Sequence, residues 1–495
     1  MGAELGATTS VFPYDERSAN FQRATERAVD ADVCLKYLKD LNADDDVLTA
    51  PQNYFDQIIE IDLSTLEPHV VGPHTPDLAR PISKLKEEVI KNGYPDQIRV
   101  SLIGSCTNSS YEDIGRSANV AKQGLEKGIK SKTYFMITPG SEAVFETIKQ
   151  AGYLDTLNEA GGVVLANACG PCIGQWDRKD IKKGEVNTIV TSFNRNFKQR
   201  NDGNADTMAF IASPEIVTAF ALSGSLSFNP LTDNIKLDNG TEIKLTPPEA
   251  EELPKTGLKM VRNGLVEPKG EGEVVVNPKS ERLALLDPFP KWDGEDINDS
   301  FLLVKVKGKC TTDAISPAGP WLKFRGHLDR ISDNLLTGAV DAFTGETGVT
   351  LNLISKQREG TSAVARKYRE AKKDFIIIGD ENYGEGSSRE HAAMSPRYFG
   401  GRAVIARSFA RIHETNLKKQ GMLALKFKDI ADYEKIREGD LISVQGLKSL
   451  APNKDLTIEL KHSDGSVETF LVTHGMTDEQ IEWFKAGSAL NTMRD

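Results

Sequence analysis

Three cysteines stand at spacings that suit metal or redox chemistry. Cys169 and Cys172 form a C-x-x-C pair in "NACGPCIG", and Cys106 lies 63 residues before that pair in "GSCTNSS". Each segment follows an apolar stretch that reads as a buried strand, so each predicts a strand end that opens into a loop. Two strand ends could bring three thiolates together. Three thiolates suit a [4Fe–4S] cluster with one iron that the protein does not hold, and such an iron acts as a Lewis acid.

Two other interpretations of the cysteines remain open at this point. The C-x-x-C spacing also serves a redox dithiol, which normally begins a long helix, but the following residues "IGQW" with Gly174 begin a helix poorly. The cysteines could also be buried structural residues, as we expect for Cys34 in a helical apolar stripe and for Cys310 at a strand end.

Basic side chains that could bind an anion follow a strand in the first half of the chain. The segment "SFNRNFKQRNDG" carries Arg195, Lys198 and Arg200 after the predicted strand "NTIVTSF". Arginine can hold a carboxylate through two hydrogen bonds. A solvated basic turn would show the same composition.

A second group of such residues occurs in the last third. Arg325 lies among apolar residues in "GPWLKFRGHL", and Ser387, Ser388 and Arg389 occupy the turn "GEGSSREHA" between a strand and a helix. Backbone N–H groups at such a turn favour an anion. An ordinary helix cap, with serine followed by Glu390, is the plain alternative. The turn lacks the Walker lysine, so a nucleotide phosphate is disfavoured.

The elements that must position these residues predict an α/β protein. Residues 67–258 alternate strand and helix patterns, which indicates a largely parallel sheet whose ligands bind at the carboxyl ends of the strands. Residues 1–66 form a short, mainly helical unit, and residues 259–300 form a linker rich in proline, glycine and charge. Residues 301–495 restart with "FLLVKVKG" and predict a second, mixed α/β domain.

Composition limits the classes of function. The chain has 495 residues, a net charge of −11 and five cysteines. An acidic chain argues against binding nucleic acid through bulk charge. No apolar run approaches the ~18 residues of a membrane span, and so few cysteines indicate a reducing, intracellular compartment.

Six segments resemble the signatures of one family. They are "GSCTNSS", "NACGPCIG", "SFNRNF", "TTDAISPAGPWLKFRGHL", "GDENYGEGSSREHAA" and "SFARIHETNLKKQG". In this order they are similar to the aconitase family, closest to the mitochondrial type, and the similarity runs from residue 1 to 495. The resemblance implies an α/β domain that carries the cluster cysteines, a linker, and a C-terminal mixed α/β domain of the swivel type. It also implies that residues 1–66 are the remnant of an α/β domain.

The resemblance assigns roles to individual residues. It implies a [4Fe–4S] cluster on Cys106, Cys169 and Cys172. It implies that Ser387 is the base that removes the C–H proton, that Asp313 supports a catalytic histidine, and that Glu4 lies near the substrate pocket. The residues that it implies for substrate binding are Arg195, Arg200, Arg325, Ser388 and Arg389.

The implied reaction is that of a hydro-lyase of the tricarboxylic acid cycle, which isomerises citrate to isocitrate through cis-aconitate. The resemblance implies a monomer in the mitochondrial matrix that acts on a small tri- or dicarboxylate, with no membrane or nucleic-acid partner. No transit-peptide pattern occurs at the start of this sequence.

Two departures from the family pattern raise alternatives. The sequence begins inside a family motif, with about a third of the relatives' length before it, so we expect a weakly active chain or a non-catalytic Fe–S-binding remnant. Ala314 stands where the family usually has histidine, which favours a homocitrate dehydratase or homoaconitase-type paralogue as the alternative.

Overall fold

The computed structural model describes residues 9–104, 106–237, 240–261, 266–270, 272–387 and 389–494. The chain divides into two compact units, Phe12–Gly270 and Glu271–Asp495, which we call the N-terminal unit and the C-terminal unit. Within the described ranges, every helix is too short or too polar to traverse a bilayer.

The N-terminal unit alternates helices and strands along most of its length. Its helices are α1 (Glu16–Ala24), α2 (Ala28–Lys36), α3 (Asp45–Thr49), α4 (Ile82–Asn92), α5 (Tyr111–Leu125), α6 (Glu142–Gln150), α7 (Tyr153–Glu159) and α8 (Pro214–Ser223). Its strands are β1 (His69–Val71), β2 (Ala79–Pro81), β3 (Ile98–Ile103), β4 (Tyr134–Ile137), β5 (Gly162–Val164), β6 (Asn187–Thr191), β7 (Thr207–Ile211), β8 (Ile235–Lys236) and β9 (Glu242–Ile243).

One seven-stranded sheet organises this unit, in the order β2-β1-β7-β6-β3-β4-β5. The five strands β7, β6, β3, β4 and β5 are parallel, and β1 joins β7 in the antiparallel sense. All five side chains of β6 are buried, as expected for a central parallel strand with helices on both faces. The chain order reverses between β3 and β6, so the switch point at which ligands of open α/β sheets bind lies there.

Helix α5 fixes the loop that follows β3. Ser110 Oγ accepts a hydrogen bond from the Asp113 amide at 3.2 Å, and the Asp113 carboxylate accepts one from the Ser110 amide at 2.9 Å. This reciprocal cap begins the helix directly after the Cys106 loop. Ile114, Ala118 and Ala121 then face the core at helical spacing and are buried.

Residues 9–66 contain helices and irregular chain, with no strand among the described residues. Large apolar side chains are exposed along this segment, among them Phe12, Phe55, Ile59 and Leu63.

The C-terminal unit contains a closed barrel with helices packed against some of its strands. The barrel strands follow one another in the order β10 (Ile297–Lys305), β13 (Phe375–Gly379), β14 (Gly401–Ala406), β15 (Leu423–Phe427), β18 (Val467–Thr473), β17 (Leu456–Lys461) and β16 (Leu441–Gln445), while β11 (Val349–Leu351) and β12 (Arg358–Gly360) form a separate ribbon. The helices are α9 (Thr312–Ile315), α10 (Leu328–Ile331), α11 (Thr361–Glu370), α12 (His391–Tyr398), α13 (Arg411–Lys419), α14 (Asp478–Ala486) and α15 (Ala489–Arg494).

The parallel and antiparallel strands of the barrel differ in which of their side chains are buried. The parallel strand β13 is buried at all five positions, whereas β17 alternates, with Leu456, Ile458 and Leu460 buried. The α/β class predicted from the sequence is confirmed, with a parallel-rich sheet first and a mixed barrel domain second.

Two local expectations differ from the structure. The predicted terminal helix is broken into α14 and α15, because Gly487 ends α14 in the left-handed conformation at φ +92°. The strand expected to begin at residue 301 begins at Ile297, four residues inside the predicted linker. The four-part division of the chain stays a prediction.

Candidate functional site

The loops after β3 and β6 are joined at the switch point by one serine. Ser192 Oγ accepts a hydrogen bond from the Gly104 amide at 3.0 Å and donates to the Gly104 carbonyl at 2.7 Å. The Asn108 side-chain amide donates to the Ser192 carbonyl at 2.8 Å. Cys106, which lies between Gly104 and Asn108, is therefore held in a loop tied to the end of β6, and its side chain is exposed.

The C-x-x-C pair occupies a single tight turn after β5. The turn is a 3₁₀ helix over Gly170–Ile173, and Gly174 ends it in the left-handed conformation at φ +82°. The Cys172 amide donates to the Cys169 carbonyl at 2.8 Å. This short 3₁₀ turn lacks the long helix that begins at a thioredoxin-type dithiol.

The two cysteines of this turn have different surroundings. Cys169 is exposed, whereas Cys172 is 7% exposed and packs with Leu102, Ile189 and Phe193. Its thiol lies 4.0 Å from Asn194 Oδ1.

Among the residues that the structure describes, no three His, Cys, Asp or Glu side chains are gathered as a metal-holding group. Cys106 lies on the loop after β3, and Cys169 and Cys172 lie on the turn after β5, so all three follow parallel strands of one sheet.

The predicted anion-binding arginines lie beside this turn. The Arg200 Nε–H donates to the Cys172 carbonyl at 2.9 Å, and the Asn201 side-chain amide donates to the Pro171 carbonyl at 3.2 Å. Arg195 is 8% exposed, four residues after the end of β6. The segment predicted as basic is therefore not a solvated turn, because one arginine is buried and the other holds the cysteine turn.

The C-terminal unit gathers its predicted residues around the loop between β13 and α12. An Arg389 guanidinium nitrogen, Nη2, lies 2.7 Å from Asp313 Oδ1, and Nη1 donates to the Ser316 carbonyl at 2.8 Å. The Arg389 amide donates to the Ser387 carbonyl at 2.8 Å, which places the half-buried Ser387 in the same turn. An arginine fixed at two nitrogens cannot rotate freely, so this pair defines an oriented cation.

Backbone pairing joins the Asp313 segment to the serine loop. The Thr312 amide donates to the Glu385 carbonyl at 2.8 Å, and the Gly384 amide donates to the Cys310 carbonyl at 2.8 Å. Helix α9 begins after Thr311, whose hydroxyl accepts from the Ala314 amide at 3.2 Å. Asp313 therefore lies in the first turn of a capped helix and faces Arg389.

Arg325 differs from the other predicted residues. Its side chain is exposed, and its carbonyl accepts a hydrogen bond from the His391 ring Nε2–H at 2.9 Å. Burial lowers the pKa of His391, so the neutral ring that makes this bond is favoured. Glu4 and Ser388 lie outside the described residues.

A buried histidine lies beneath the serine loop and was not singled out from the sequence. His413 is 1% exposed, and a side chain built on Gly384 would place its Cβ 2.2 Å from the His413 ring. Gly384 has φ +85°, so the backbone conformation and the ring both require glycine there. Burial lowers the pKa of His413 to about 4. The motif "SFARIHETNL" was noticed, but nothing in it distinguishes this histidine from a surface residue of a helix.

Comparison with known proteins places the chain in a family. The aconitase family model (aconitate hydratase) matches residues 1–224, and the aconitase C-terminal domain model matches residues 301–430. The chain belongs to the aconitase family. Aconitases generally bind a [4Fe–4S] cluster and act on small carboxylates.

The aconitase relatives match along the whole chain. It is 55% identical to the mitochondrial aconitate hydratase of Gracilaria gracilis, 56% to the probable mitochondrial aconitate hydratase of Caenorhabditis elegans and 53% to the mitochondrial aconitate hydratase of Saccharomyces cerevisiae. Each match covers 100% of this chain and 63% of the relative, so the chain spans about 63% of the length of the curated relatives it matches.

A solved structure of 3-isopropylmalate dehydratase from Methanocaldococcus jannaschii also matches. The match covers 40% of this chain and 94% of the dehydratase chain, at 24% identity and with a TM-score of 0.28.

Proposed function

We propose that this chain carries the activity of an aconitate hydratase, the reversible dehydration of citrate to cis-aconitate and its rehydration to isocitrate, in the mitochondrion. The observation that carries the proposal is the identity of 53–56% to proteins named aconitate hydratase, extending over the whole chain. The oriented Arg389–Asp313 pair beside Ser387 supports it, because a polycarboxylate substrate requires fixed cations.

The cysteines fit a cluster by donor type and by position. Three thiols are the donor set of a [4Fe–4S] cluster that leaves one iron open, and Cys106, Cys169 and Cys172 follow strand ends at one edge of the sheet. Binding of the cluster would draw the three thiolates together, as is common where a site forms together with its metal. Such a cluster would supply a Lewis-acidic iron to the substrate hydroxyl and carboxylate.

Residues of the N-terminal unit would hold the substrate and the ligand turn. Arg200 binds the Cys172 carbonyl through Nε and so ties its own segment to the cysteine turn. Arg195 is buried at the end of β6, where a cation interacts more strongly with an anion than it does in water.

Residues of the C-terminal unit would carry the proton chemistry. Ser387 Oγ would take the proton from the carbon next to the hydroxyl-bearing carbon and return it on rehydration. A serine serves as a base only where positive charge and N–H donors stabilise its alkoxide, which Arg389 and the loop amides would provide. Asp313 and the Ser316 carbonyl would hold the Arg389 guanidinium in place, and Arg325 would contact a further carboxylate. Glu4 and Ser388 keep the roles that the family resemblance implies.

The test is turnover by the anaerobically reconstituted chain, followed through the ultraviolet absorbance of cis-aconitate. Citrate and isocitrate should both be converted, and Ser387→Ala should abolish turnover while leaving bound iron unchanged. Conversion of homocitrate but not of citrate would favour the homoaconitase-type alternative. Iron-loaded protein that converts neither substrate would contradict the proposal.

A further inference from the structure

A cavity in the C-terminal unit lies away from the residues assigned above. It has a volume of about 540 Å³, within the range of about 300–1,000 Å³ typical of small-molecule sites. Its walls are the extended segment 284–290, helix α10, the end of α11 and the stretch from the end of α12 into β14.

The walls carry more positive than negative charge. Five cationic side chains line the cavity, which are those of Arg369, Lys372, Lys373, Arg397 and Arg402. They outnumber three lining carboxylates, those of Asp287, Asp329 and Asp374. Asp329 is already engaged by Arg366, which does not line the cavity, at 2.8 Å, and by the Tyr398 hydroxyl at 3.0 Å. Asp374 lies 3.4 Å from Arg402.

Arg397 is the residue that points to a ligand. Its Nη2–H donates to the Pro290 carbonyl at 2.9 Å, while its buried Nε–H has no hydrogen-bond acceptor among the described residues. Burial and the neighbouring Arg402 lower the pKa of Arg397 to about 10, so it remains a cation at neutral pH. Burying a cationic group is costly, and an anion in the cavity that Arg397 lines would offset that cost by interacting with its guanidinium charge.

Helix dipoles explain only part of this charge. Helices α11 and α12 both end at the cavity, and cations are favoured near helix C-termini. That effect accounts for Lys372, which is exposed, because a surface lysine satisfies the dipole while remaining hydrated. The dipole effect does not explain Arg397, whose buried Nε–H has no hydrogen-bond acceptor among the described residues.

Aromatic and apolar groups stand beside the cations. The Arg369 guanidinium lies 3.7 Å from the centroid of the Tyr398 ring, and that of Arg397 lies 5.6 Å from the Phe289 ring. Stacking of this kind holds each guanidinium plane in a fixed orientation. The cavity therefore presents oriented cations, as a site for a polyvalent anion requires.

The cavity is separated from the serine loop by a helix. Ser387 and Arg389 precede the first residue of α12, whereas Arg397 and Tyr398 lie in its last turn. Eight helical residues span about 12 Å. An anion bound in the cavity would thus contact the far end of the helix that follows the proposed catalytic loop.

We propose that this cavity is a second anion site, which binds a small molecule carrying two or more phosphate or carboxylate groups. The proposal does not depend on the activity proposed above, because it uses other residues and a binding readout.

The test uses hydrogen-exchange mass spectrometry of the full chain with pyrophosphate and, separately, with citrate. Slower exchange in peptides that cover 284–290 and 397–402 is expected with at least one anion. Pyrophosphate alone would identify a phosphate ligand, and citrate alone a carboxylate ligand. Lack of protection by both would overturn the proposal. Citrate bound at the catalytic residues would protect other peptides, those around 313 and 387.

Matched variants connect the protection to the cavity. Lys372→Glu should weaken anion binding about tenfold, which corresponds to about 1.4 kcal/mol. Lys356→Glu is the control, because Lys356 is an exposed lysine of the same unit with the same left-handed backbone (φ +59° against +53° for Lys372) and does not line the cavity. Arg397→Gln, checked for folding by circular dichroism, should abolish the protection. Equal affinity in wild type, Lys372→Glu and Lys356→Glu would overturn the proposal.

Discussion

The two units hold their predicted functional residues in different ways. In the C-terminal unit, Arg389, Asp313 and the serine loop are tied by an ion pair of 2.7 Å and by backbone hydrogen bonds across two segments. In the N-terminal unit, Cys172 is buried in an apolar cluster, while Cys106 and Cys169 are exposed on segments that follow two different strands. Protein groups of opposite charge can organise a site without a ligand. Thiolates repel one another, so a metal that they bind would have to supply the free energy that gathers them.

The largest effect expected from the difference between the two units is on iron binding by the cysteines. Replacing Cys106 by Ser should remove nearly all iron from reconstituted protein, because two remaining thiolates cannot hold a cluster. Iron per chain and visible absorbance measure the result. Cys34→Ser is the control and should keep its iron, since Cys34 lies on α2, far along the chain from the predicted ligand loops. Full iron binding by the Cys106 variant would show that these loops do not form a cluster site.

The next largest effect is expected on kcat/KM when Arg389 is replaced. Arg389→Lys keeps the charge but cannot reach both Asp313 and the Ser316 carbonyl, so kcat/KM for citrate should fall by about 10²–10³. Arg330→Lys serves as the control, because Arg330 is an exposed arginine 3.6 Å from Glu281 and outside the proposed site. Equal losses in the two variants would mean that the Arg389 geometry is not required.

Substituting one glycine in the serine loop and one in the cysteine turn tests how tightly each is packed. Gly384→Ala should lower the free energy of unfolding by about 4 kcal/mol, because the new Cβ meets the His413 ring at 2.2 Å and the backbone is left-handed. Gly170→Ala in the cysteine turn should cost about 1 kcal/mol, since φ is +38° and no atom lies within 4 Å of the new Cβ. Urea unfolding followed by circular dichroism measures both. Similar costs would remove the contrast in packing between the loops.

A pH dependence in the C-terminal unit follows from His413. Its pKa is about 4 when folded and about 6.5 when unfolded, so the unfolded chain binds the proton more readily. The contribution of His413 to the free energy of unfolding is fully present above pH 6.5 and declines as the pH falls. About 3 kcal/mol of this contribution is lost below pH 4. The His413→Gln variant should lack this component when its unfolding free energy is compared with wild type at pH 7, 5 and 4. Parallel pH profiles for the two proteins would contradict the assignment.

The sequence predicted the elements better than the contacts between them. The strand and helix patterns around residues 98–125 and 187–223 are local, so periodicity and caps were sufficient to identify β3, α5, β6 and α8. Closure of the C-terminal strands into a barrel depends on pairing between β10 and β16, which are more than a hundred residues apart, and no local pattern encodes it.

The candidate site was predicted by motif rather than by geometry. The Arg389 and Ser387 turn was recognised from its composition, and its partner Asp313 came only from the family resemblance. The helix cap considered for the serine turn is not present among the described residues, since the N-cap of α12 is Glu390 without a side-chain cap. Burial of His413 under Gly384 was missed because it depends on tertiary packing between α13 and the loop after β13.

Strand β5 has a consequence for the order in which parts of the chain open. It contains three residues, stands at the end of the sheet order and hydrogen-bonds to β4 alone within the described sheet. Releasing it breaks one short ladder and leaves β3, β6 and β7 intact, so the backbone leading to Cys169 can detach in a small, local fluctuation. The turn that carries the predicted ligands Cys169 and Cys172 thus follows a strand held in the described sheet by one three-residue ladder.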